Sequence, residues 1–417
     1  MEYKISDLCD IRRGASPRPI KNYIVDSYDN SLPWVKIADA TKDSSRYIYN
    51  TKERVSLEGS KKSVEVLPGD LILSNSATPG LPKFMKVKAC IHDGWLLLRN
   101  FKNVRKEFLY YILLLNRQKL LQLSNGSVFN NLKTDIVKNY IVDIPSIKKQ
   151  DKILKIIGNI EDKLDTNNKL IANLEELSQT LFKRWFVDFE FPDENGNPYK
   201  SSGGKMIDSE LGKIPNDWKI SNFQEITAFN TEMIDTNQLE NPLNYIGLEH
   251  ISRNNIISID RWENTSKVTG KKLKVCKGDI LFGKLRPYFQ KVGISPIDGV
   301  VSTDIMIFTP SFKNVYYFIL LYLSQKNFIR YITSTSTGTR MPRTGKKQIN
   351  SYKIVLPTNL ILTSFNTILN RYTDLIKLLI NENAKLIQLR DTLLPKLMSG
   401  EIEIPDDVEV NTDELSI

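Results

Sequence analysis

Gln150 to Phe186, QDKILKIIGNIEDKLDTNNKLIANLEELSQTLFKRWF, places Ile153, Ile157, Ile160, Leu164, Ile171, Leu174 and Leu181 at alternating spacings of four and three, with Asn167 filling one position of the stripe. That period is a heptad seam, the pattern of a helix whose apolar stripe faces another helix. Ser364 to Leu397, SFNTILNRYTDLIKLLINENAKLIQLRDTLLPKL, repeats it with Phe365, Leu369, Tyr372, Ile376, Leu379, Leu386 and Leu393, and with Asn383 in the seam. Each stripe runs about 35 residues, roughly 50 Å at 1.5 Å per residue, longer than a domain of about 145 residues is wide. The two helices are therefore predicted to project and pair with each other. If the copies are related by an internal twofold axis, the pair runs antiparallel with one domain at each end, and Asn167 and Asn383 fix its register at some cost in stability.

Working outward from the seams, the whole chain repeats once. Gly69-Asp70-Leu71-Ile72-Leu73 returns as Gly278-Asp279-Ile280-Leu281-Phe282, and Phe108 in KEFLYYILLLNRQKL returns as Phe318 in VYYFILLYLSQKNF. Ser124-Asn125-Gly126-Ser127 answers to Ser336-Thr337-Gly338-Thr339, and Tyr140 to Pro145 answers to Tyr352 to Pro357. Order and spacing agree at four landmarks, with offsets between 209 and 212. Each copy reads as mixed α and β. Short apolar runs such as DLILSN, KFMKVKACI, DILFGK and DIMIFT, bounded by Gly, Pro and Asp, predict strands. A Leu- and Tyr-rich helix follows at about 106 to 123 and 314 to 332, and PDENGNPYKSSGGKMIDSELGKIPNDW between the copies reads as a polar, turn-rich connector.

The 417 residues are 25% charged and 41% hydrophobic, a globular composition. No run of about 18 apolar residues occurs, and the opening MEYKISDLCD lacks the apolar core of a signal peptide, so a cytoplasmic protein without membrane contact is expected. Net charge is +10, yet the last 17 residues, EIEIPDDVEVNTDELSI, hold seven acids and no base; residues 1–400 thus carry 58 bases against 41 acids, or +17. An excess of that size suits a polyanion, because Lys and Arg that neutralise phosphates release condensed counterions. The acidic tail is expected to be a solvated, mobile end. Cys9, Cys90 and Cys276 are too far apart for a disulfide framework or a structural zinc site and read as reduced, mostly buried thiols. With only His92 and His250, a His-rich metal centre is excluded.

Reactive apparatus is missing. Gly270-Lys271 and Gly345-Lys346 lack both the upstream glycine and the following Ser or Thr of a phosphate-binding loop. Asn197-Pro198-Tyr199 falls one proline short of an adenine-methylation tetrapeptide, and Pro192-Asp193 and Pro405-Asp406 sit in polar segments without the strand and ExK partner of a nuclease. What remains is binding equipment. Arg12, Arg13, Ser16 and Arg18 combine guanidinium forks with turn residues, suited to phosphate oxygens or to O6 and N7 of guanine. Asn75, Ser76 and Thr78, with Lys83 beyond them, occupy the place after the repeated Gly-Asp strand that Lys284, Arg286 and Tyr288 occupy in the second copy. The later polar loops carry Asn125, Ser127, Asn130, Asn131 and Lys133 in one copy and Thr339, Arg340, Arg343 and Lys346 in the other. A coiled-coil scaffold for RNA or acidic proteins would not need such duplicated loops, and a self-contained nuclease would need an acidic cluster.

These features resemble the specificity subunit of type I restriction-modification systems. The matching pieces are Pro33-Trp34-Val35-Lys36-Ile37 and Tyr245-Ile246-Gly247-Leu248-Glu249, the Gly-Asp strands, Ser302-Thr303, the Ser-x-Gly-[ST] loops, Pro145 followed by Gln150, the stretch Pro198 to Gly204, and Glu210-Leu211-Gly212-x-Ile214-Pro215-x-x-Trp218. Two departures stand out: Asn359-Leu360 replaces a counterpart to Gln150, and ITAFNTEMIDT has no match to the Arg-Arg-Gly turn. The resemblance implies an α+β protein with target recognition domains at 1–146 and 218–358, coiled-coil helices at 147–187 and 359–400, a connector at 188–217 and a tail at 401–417. It further implies a non-catalytic reader of double-stranded DNA, each domain recognising half of a bipartite target across a spacer set by the rod. Two modification subunits would methylate adenine with S-adenosylmethionine, and restriction subunits would translocate and cleave with ATP and Mg2+, no cofactor binding this chain directly.

Overall fold

The structure, a computed structural model, describes residues 1–41, 45–123, 131–253 and 255–405. It divides into two compact units, residues 1–165 with 386–417 and residues 166–385.

In the first unit, Glu2–Lys4 pairs antiparallel with Ile141–Asp143, tying the start of the repeat to its end. Lys219–Asn222 and Lys353–Leu356 do the same in the second. Inside each closure lie two sheets. One sheet of the first unit runs Asp10–Arg13, Trp95–Arg99, Leu71–Ser74, Pro82–Met85, Tyr47–Ile48; its counterpart runs Thr227–Asn230, Ile305–Pro310, Ile280–Gly283, Val292–Ile294. The other sheet of each unit has five strands and one parallel pair. Trp34 lies beside Cys90 in that pair of the first unit and Tyr245 beside Val300 in that of the second, so the early PWV and YI motifs fall at one structural position.

The repeated Gly-Asp is a turn device. Gly69 and Gly278 adopt φ of +89° and +96°, where a side chain would be strained. The following carboxylate closes the turn: Asp70 accepts from the Leu67 N–H at 2.6 Å and Asp279 from the Cys276 N–H at 2.8 Å. The four residues that follow, three of them large and apolar, are buried in each copy, which fixes the strand inside its sheet.

The long helices are Ile147–Phe182 and Asn359–Ser399. In the second unit Asn167 Nδ2 donates to Asn383 Oδ1 at 2.9 Å, Asn383 Nδ2 donates to Asn168 Oδ1 at 2.9 Å, and Phe182 meets Phe365 with ring centroids 6.2 Å apart. One helix rises in number as the other falls, so they run antiparallel. Ile171, Leu369, Ile376 and Leu379 belong to that unit's core. In the first unit Ile153, Ile157, Ile160 and Leu164 share a core with Leu394 and Leu397, and Arg390 pairs with Glu161 at 3.1 Å. Both seam asparagines thus face the partner helix, as their register predicts.

Several expectations are corrected. The Leu- and Tyr-rich helix is two helices in each copy, Lys106–Leu115 and Arg117–Gln122, then Tyr316–Tyr322 and Lys326–Ser334. Asn116 marks the first break, its amide donating to the Ile112 carbonyl at 2.9 Å and its oxygen accepting from the Tyr140 hydroxyl at 2.9 Å. The connector is not a bare polar loop: Tyr199 stacks on Phe191 and Phe191 on Trp218, with centroids 4.6 and 4.9 Å apart, and Met206–Ser209 pairs with Gly212–Pro215 as a hairpin. The start of the acidic tail is seated, Ile402 and Ile404 packing on the first unit's core while Lys152 Nζ donates to the Pro405 carbonyl at 3.1 Å; residues 406–417 lie outside the described residues. Cys9 and Cys90 are buried, and burial pushes their thiols up to about 12 and about 11; Cys276 is exposed, because it sits in the tight turn that Asp279 closes. Among the described residues, no helix is long and apolar enough to cross a membrane.

Candidate functional site

Each unit brings three separate segments together at one residue. In the first, the Asn75 N–H donates to the Gly94 carbonyl at 2.8 Å and the Asn75 carbonyl accepts from the Leu132 N–H at 2.8 Å. In the second, the Lys284 N–H donates to the Asp304 carbonyl at 2.9 Å and the Lys284 carbonyl accepts from the Thr344 N–H at 3.1 Å. The loop after the Gly-Asp strand is thereby clasped between the turn entering the neighbouring strand of the sheet, Trp95–Arg99 or Ile305–Pro310, and the segment entering a short helix, Thr134–Asn139 or Lys346–Asn350. The same backbone bonds in both units place the loops that the sequence pattern singled out.

At the first junction lies a cavity of about 420 Å³ lined by Arg13, Asn75, Ser76, His92, Asp93, Gly94, Asn131, Leu132, Lys133 and Thr134. Asp93 organises it. Its backbone carbonyl accepts from Arg13 Nε at 3.0 Å and Asn75 Nδ2 at 3.1 Å, and its Oδ1 accepts from Ser16 Oγ at 2.7 Å. That hydroxyl bond holds the Asp93 carboxyl below the usual carboxylate range, so the group is ionised at neutral pH. His92 Nδ1 accepts from the Gly94 N–H at 2.8 Å, and burial lowers its pKa, favouring the neutral ring. Gly94 and Gly14 are glycines for lack of room: a Cβ would stand 2.2 Å from His92 Cε1 at Gly94 and 2.1 Å from the His92 carbonyl oxygen at Gly14.

Of the residues picked from sequence, Arg13, Asn75, Ser76, Asn131 and Lys133 meet at this cavity. Arg12 and Arg18 are exposed and Ser16 reaches it through Asp93. Arg12 and Arg13 end the strand Asp10–Arg13 rather than sitting in a turn. Asn75 is 5% exposed, its amide committed to Asp93, and Thr78 is half-buried in its loop. Lys83 stands apart: it is 4% exposed on Pro82–Met85, and its ammonium donates to the Ser45 carbonyl, a packing role within the sheet. Asn125, Ser127 and Asn130 lie outside the described residues.

In the second unit Arg343 Nε donates to Asp304 Oδ1 at 3.0 Å, and the Arg286 N–H to the Pro342 carbonyl at 2.7 Å, binding the two predicted loops to each other. Lys284 is half-buried beside them; Tyr288, Thr339 and Arg340 are exposed; Lys346 Nζ lies 5.4 Å from the Phe229 ring centre. The exposed cations and hydroxyl and amide groups suit a phosphate backbone with base edges beyond it. Sequence reasoning missed His92 and Asp93 as members of the site; the one available signal was their place just ahead of the strand Trp95–Arg99, where Thr303-Asp304 precede Ile305–Pro310.

A family model described as type I restriction modification DNA specificity domain matches residues 1–176 and again 215–388. The type I restriction enzyme MjaIX specificity subunit of Methanocaldococcus jannaschii is 24% identical over 419 residues, covering 97% of this chain and 93% of its own. The HindI specificity subunit of Haemophilus influenzae is 28% identical over 202 residues, 45% of this chain and 42% of its own. Among solved structures, an S subunit of a type I restriction-modification system from M. genitalium superposes with a TM-score of 0.53 at 14% identity, covering 95% of each chain, and so shares the fold.

Proposed function

Because the chain belongs to the type I restriction-modification DNA specificity family, whose model matches it twice, we propose that its two junctions are the two readers of one bipartite double-stranded target. The protein is a non-catalytic specificity subunit, and its task is sequence-specific DNA recognition. The observation that carries the two-reader proposal is the clasped loop: identical backbone bonds at Asn75 and Lys284 present different side chains from the same position. A scaffold repeated while its display varies suits two half-sites of different sequence. Exposed Arg and Lys position the duplex on its phosphates, and the polar groups around each junction read base edges.

In this reading two modification subunits methylate adenine using S-adenosylmethionine, and restriction subunits translocate and cleave DNA with ATP and Mg2+. The complex works in the cytoplasm, where the genomic DNA is. Methylated adenines should be mapped in DNA from cells carrying the chain with its partner subunits, before and after residues 1–146 are exchanged for those of another family member. One half of the methylated motif should change and the other stay. A change in both halves, or methylation without a motif, overturns the proposal.

A further inference from the structure

A carboxylate at the centre of a basic, DNA-facing cavity calls for an explanation, since it repels the phosphates that the surrounding cations attract. Asp93 is not buried as a purely structural acid: its side chain is 48% exposed and lines the cavity. Its other atoms are fixed. The backbone carbonyl takes Arg13 Nε and Asn75 Nδ2, and Oδ1 takes Ser16 Oγ. Oδ2 has its nearest cation, Arg13 Nη2, at 3.9 Å, beyond hydrogen-bond reach. The result is an anion anchored through Oδ1 and steadied by its own backbone N–H, with Oδ2 only loosely paired to Arg13 and the residue lining the cavity.

The donors that a base edge offers in the major groove are the amino groups, N4 of cytosine and N6 of adenine, and carboxylates accept from them. We propose, resting on the two-reader function above, that Asp93 is a specificity-determining residue whose Oδ2 accepts a hydrogen bond from the exocyclic amino group of an adenine or cytosine in the first half-site. The neighbouring ring supports it. With Nδ1 accepting from Gly94, the neutral imidazole of His92 carries its proton on Nε2 and is a donor. Both residues line the cavity, and an acceptor together with a donor suits the N6 and N7 edge of adenine, whereas cytosine offers only the amino group. The second unit provides the contrast. Thr303 stands at the place of Asp93 there, and Asp304, at the place of Gly94, is 27% exposed and takes Arg343 Nε at 3.0 Å, so the one carboxylate of that turn is occupied.

The test uses the full chain with its partner subunits on a library of randomised duplexes, reading the methylated or bound motif. Asp93→Asn keeps the size and can still accept from Ser16. It should reduce the preference for adenine or cytosine at one position of one half-site by about tenfold, the scale of one base-edge hydrogen bond, with the other half unchanged. Adenine or cytosine at that position in the wild-type motif distinguishes the two bases, and neither base there overturns the inference. Ser63→Ala removes a hydroxyl that donates to the Ala15 and Ile91 carbonyls at 2.8 and 3.1 Å; it disturbs nearby packing but leaves Ser16 and the carboxylate, and should keep the preference. An unchanged motif with Asp93→Asn, or equal loss of the whole half-site with both variants, overturns it. Should Asp93→Asn fail to fold, Asp93→Glu moves the oxygen by one methylene, and an undiminished preference there likewise overturns it. A wild type without any motif would instead refute the two-reader function.

Discussion

At the strand ends the two units keep one backbone and exchange their charges. Arg12 pairs one residue beyond the Ile11–Leu98 pair, and Asn230 one residue beyond the matching Phe229–Phe308 pair, so the Arg-Arg of the first unit becomes Asn230-Thr231 in the second. The loop after the Gly-Asp strand reverses the trade, with Asn75 and Ala77 against Lys284 and Arg286. Ala77 and Arg286 even share a left-handed conformation, φ +56° and +52°, so a methyl and a guanidinium are mounted on one bent backbone. The difference teaches that the junction is a mount: its geometry is set by main-chain bonds, and the side chains on it vary without disturbing them.

A second contrast lies in how each unit ties a loop to the long helices. The Arg46 carbonyl accepts from the Phe84 N–H at 2.9 Å, and the Ile257 carbonyl from the Ile294 N–H at 3.0 Å, so the two loops are equivalent. The first is held by a cation reaching the helix, Arg46 Nε lying 3.6 Å from Asp165 with Asp162 on its Nη2. The second is held by an anion on the helix: Glu175, 3% exposed, accepts from the N–H groups of Ile256, Ile257 and Ser258 at 2.7 to 3.1 Å and from Ser258 Oγ at 2.9 Å. Breaking the second tie should have the largest effect. Glu175→Ala leaves three buried N–H groups without a partner and should cost about 3–5 kcal/mol, read by urea unfolding. Amide exchange at Ile256 to Ser258 should rise while Phe84 stays protected; equal loss of protection in both loops would mean the two ties are not independent.

Gly14→Ala comes next, aimed at the mount itself. The added methyl would stand 2.1 Å from the His92 carbonyl oxygen, and relieving that overlap should cost about 2–3 kcal/mol. Because Thr231 sits close to the matching place in the second unit and is exposed, Thr231→Ala should change unfolding little. Comparable destabilisation by both would show that the two strand ends are equally crowded, where they are expected to differ. Arg46→Met follows, at about 2 kcal/mol, since the guanidinium is 10% exposed while Asp162 is 71% exposed and can be rehydrated. A loss as large as that of Glu175→Ala would erase the distinction between a solvated and a buried tie.

How much of this was legible follows the range of the forces involved. The helical pair was readable because a seam is a periodicity within one segment, and even Asn167 and Asn383, which meet across the helices, betrayed themselves by falling in it. The Gly-Asp turn was readable as a motif, since its carboxylate bonds a backbone only three residues away. Glu175 was not, because an acid in a charged helix looks solvated until a loop some eighty residues on folds over it. Asp93 was hidden in the same way: Arg13, Ser16 and Asn75 converge on it from two other segments. Lys83 misled because alternating basic and apolar residues do not reveal which face of a strand is covered.

The smallest effect separates positioning from reading. Arg12 and Arg340 are exposed cations on different parts of the two mounts, one at a strand end and one in a loop. If both lie on phosphates, Arg12→Ala and Arg340→Ala should each lower the slope of log affinity against log salt by about 1, as removal of one phosphate contact does. Binding at a fixed salt concentration should then weaken similarly for every sequence, with the motif intact. A changed base preference with Arg340→Ala but not with Arg12→Ala would assign the loop to reading and the strand to positioning. The exchange of charge between the units would then alter what each mount recognises, not merely where it grips the backbone.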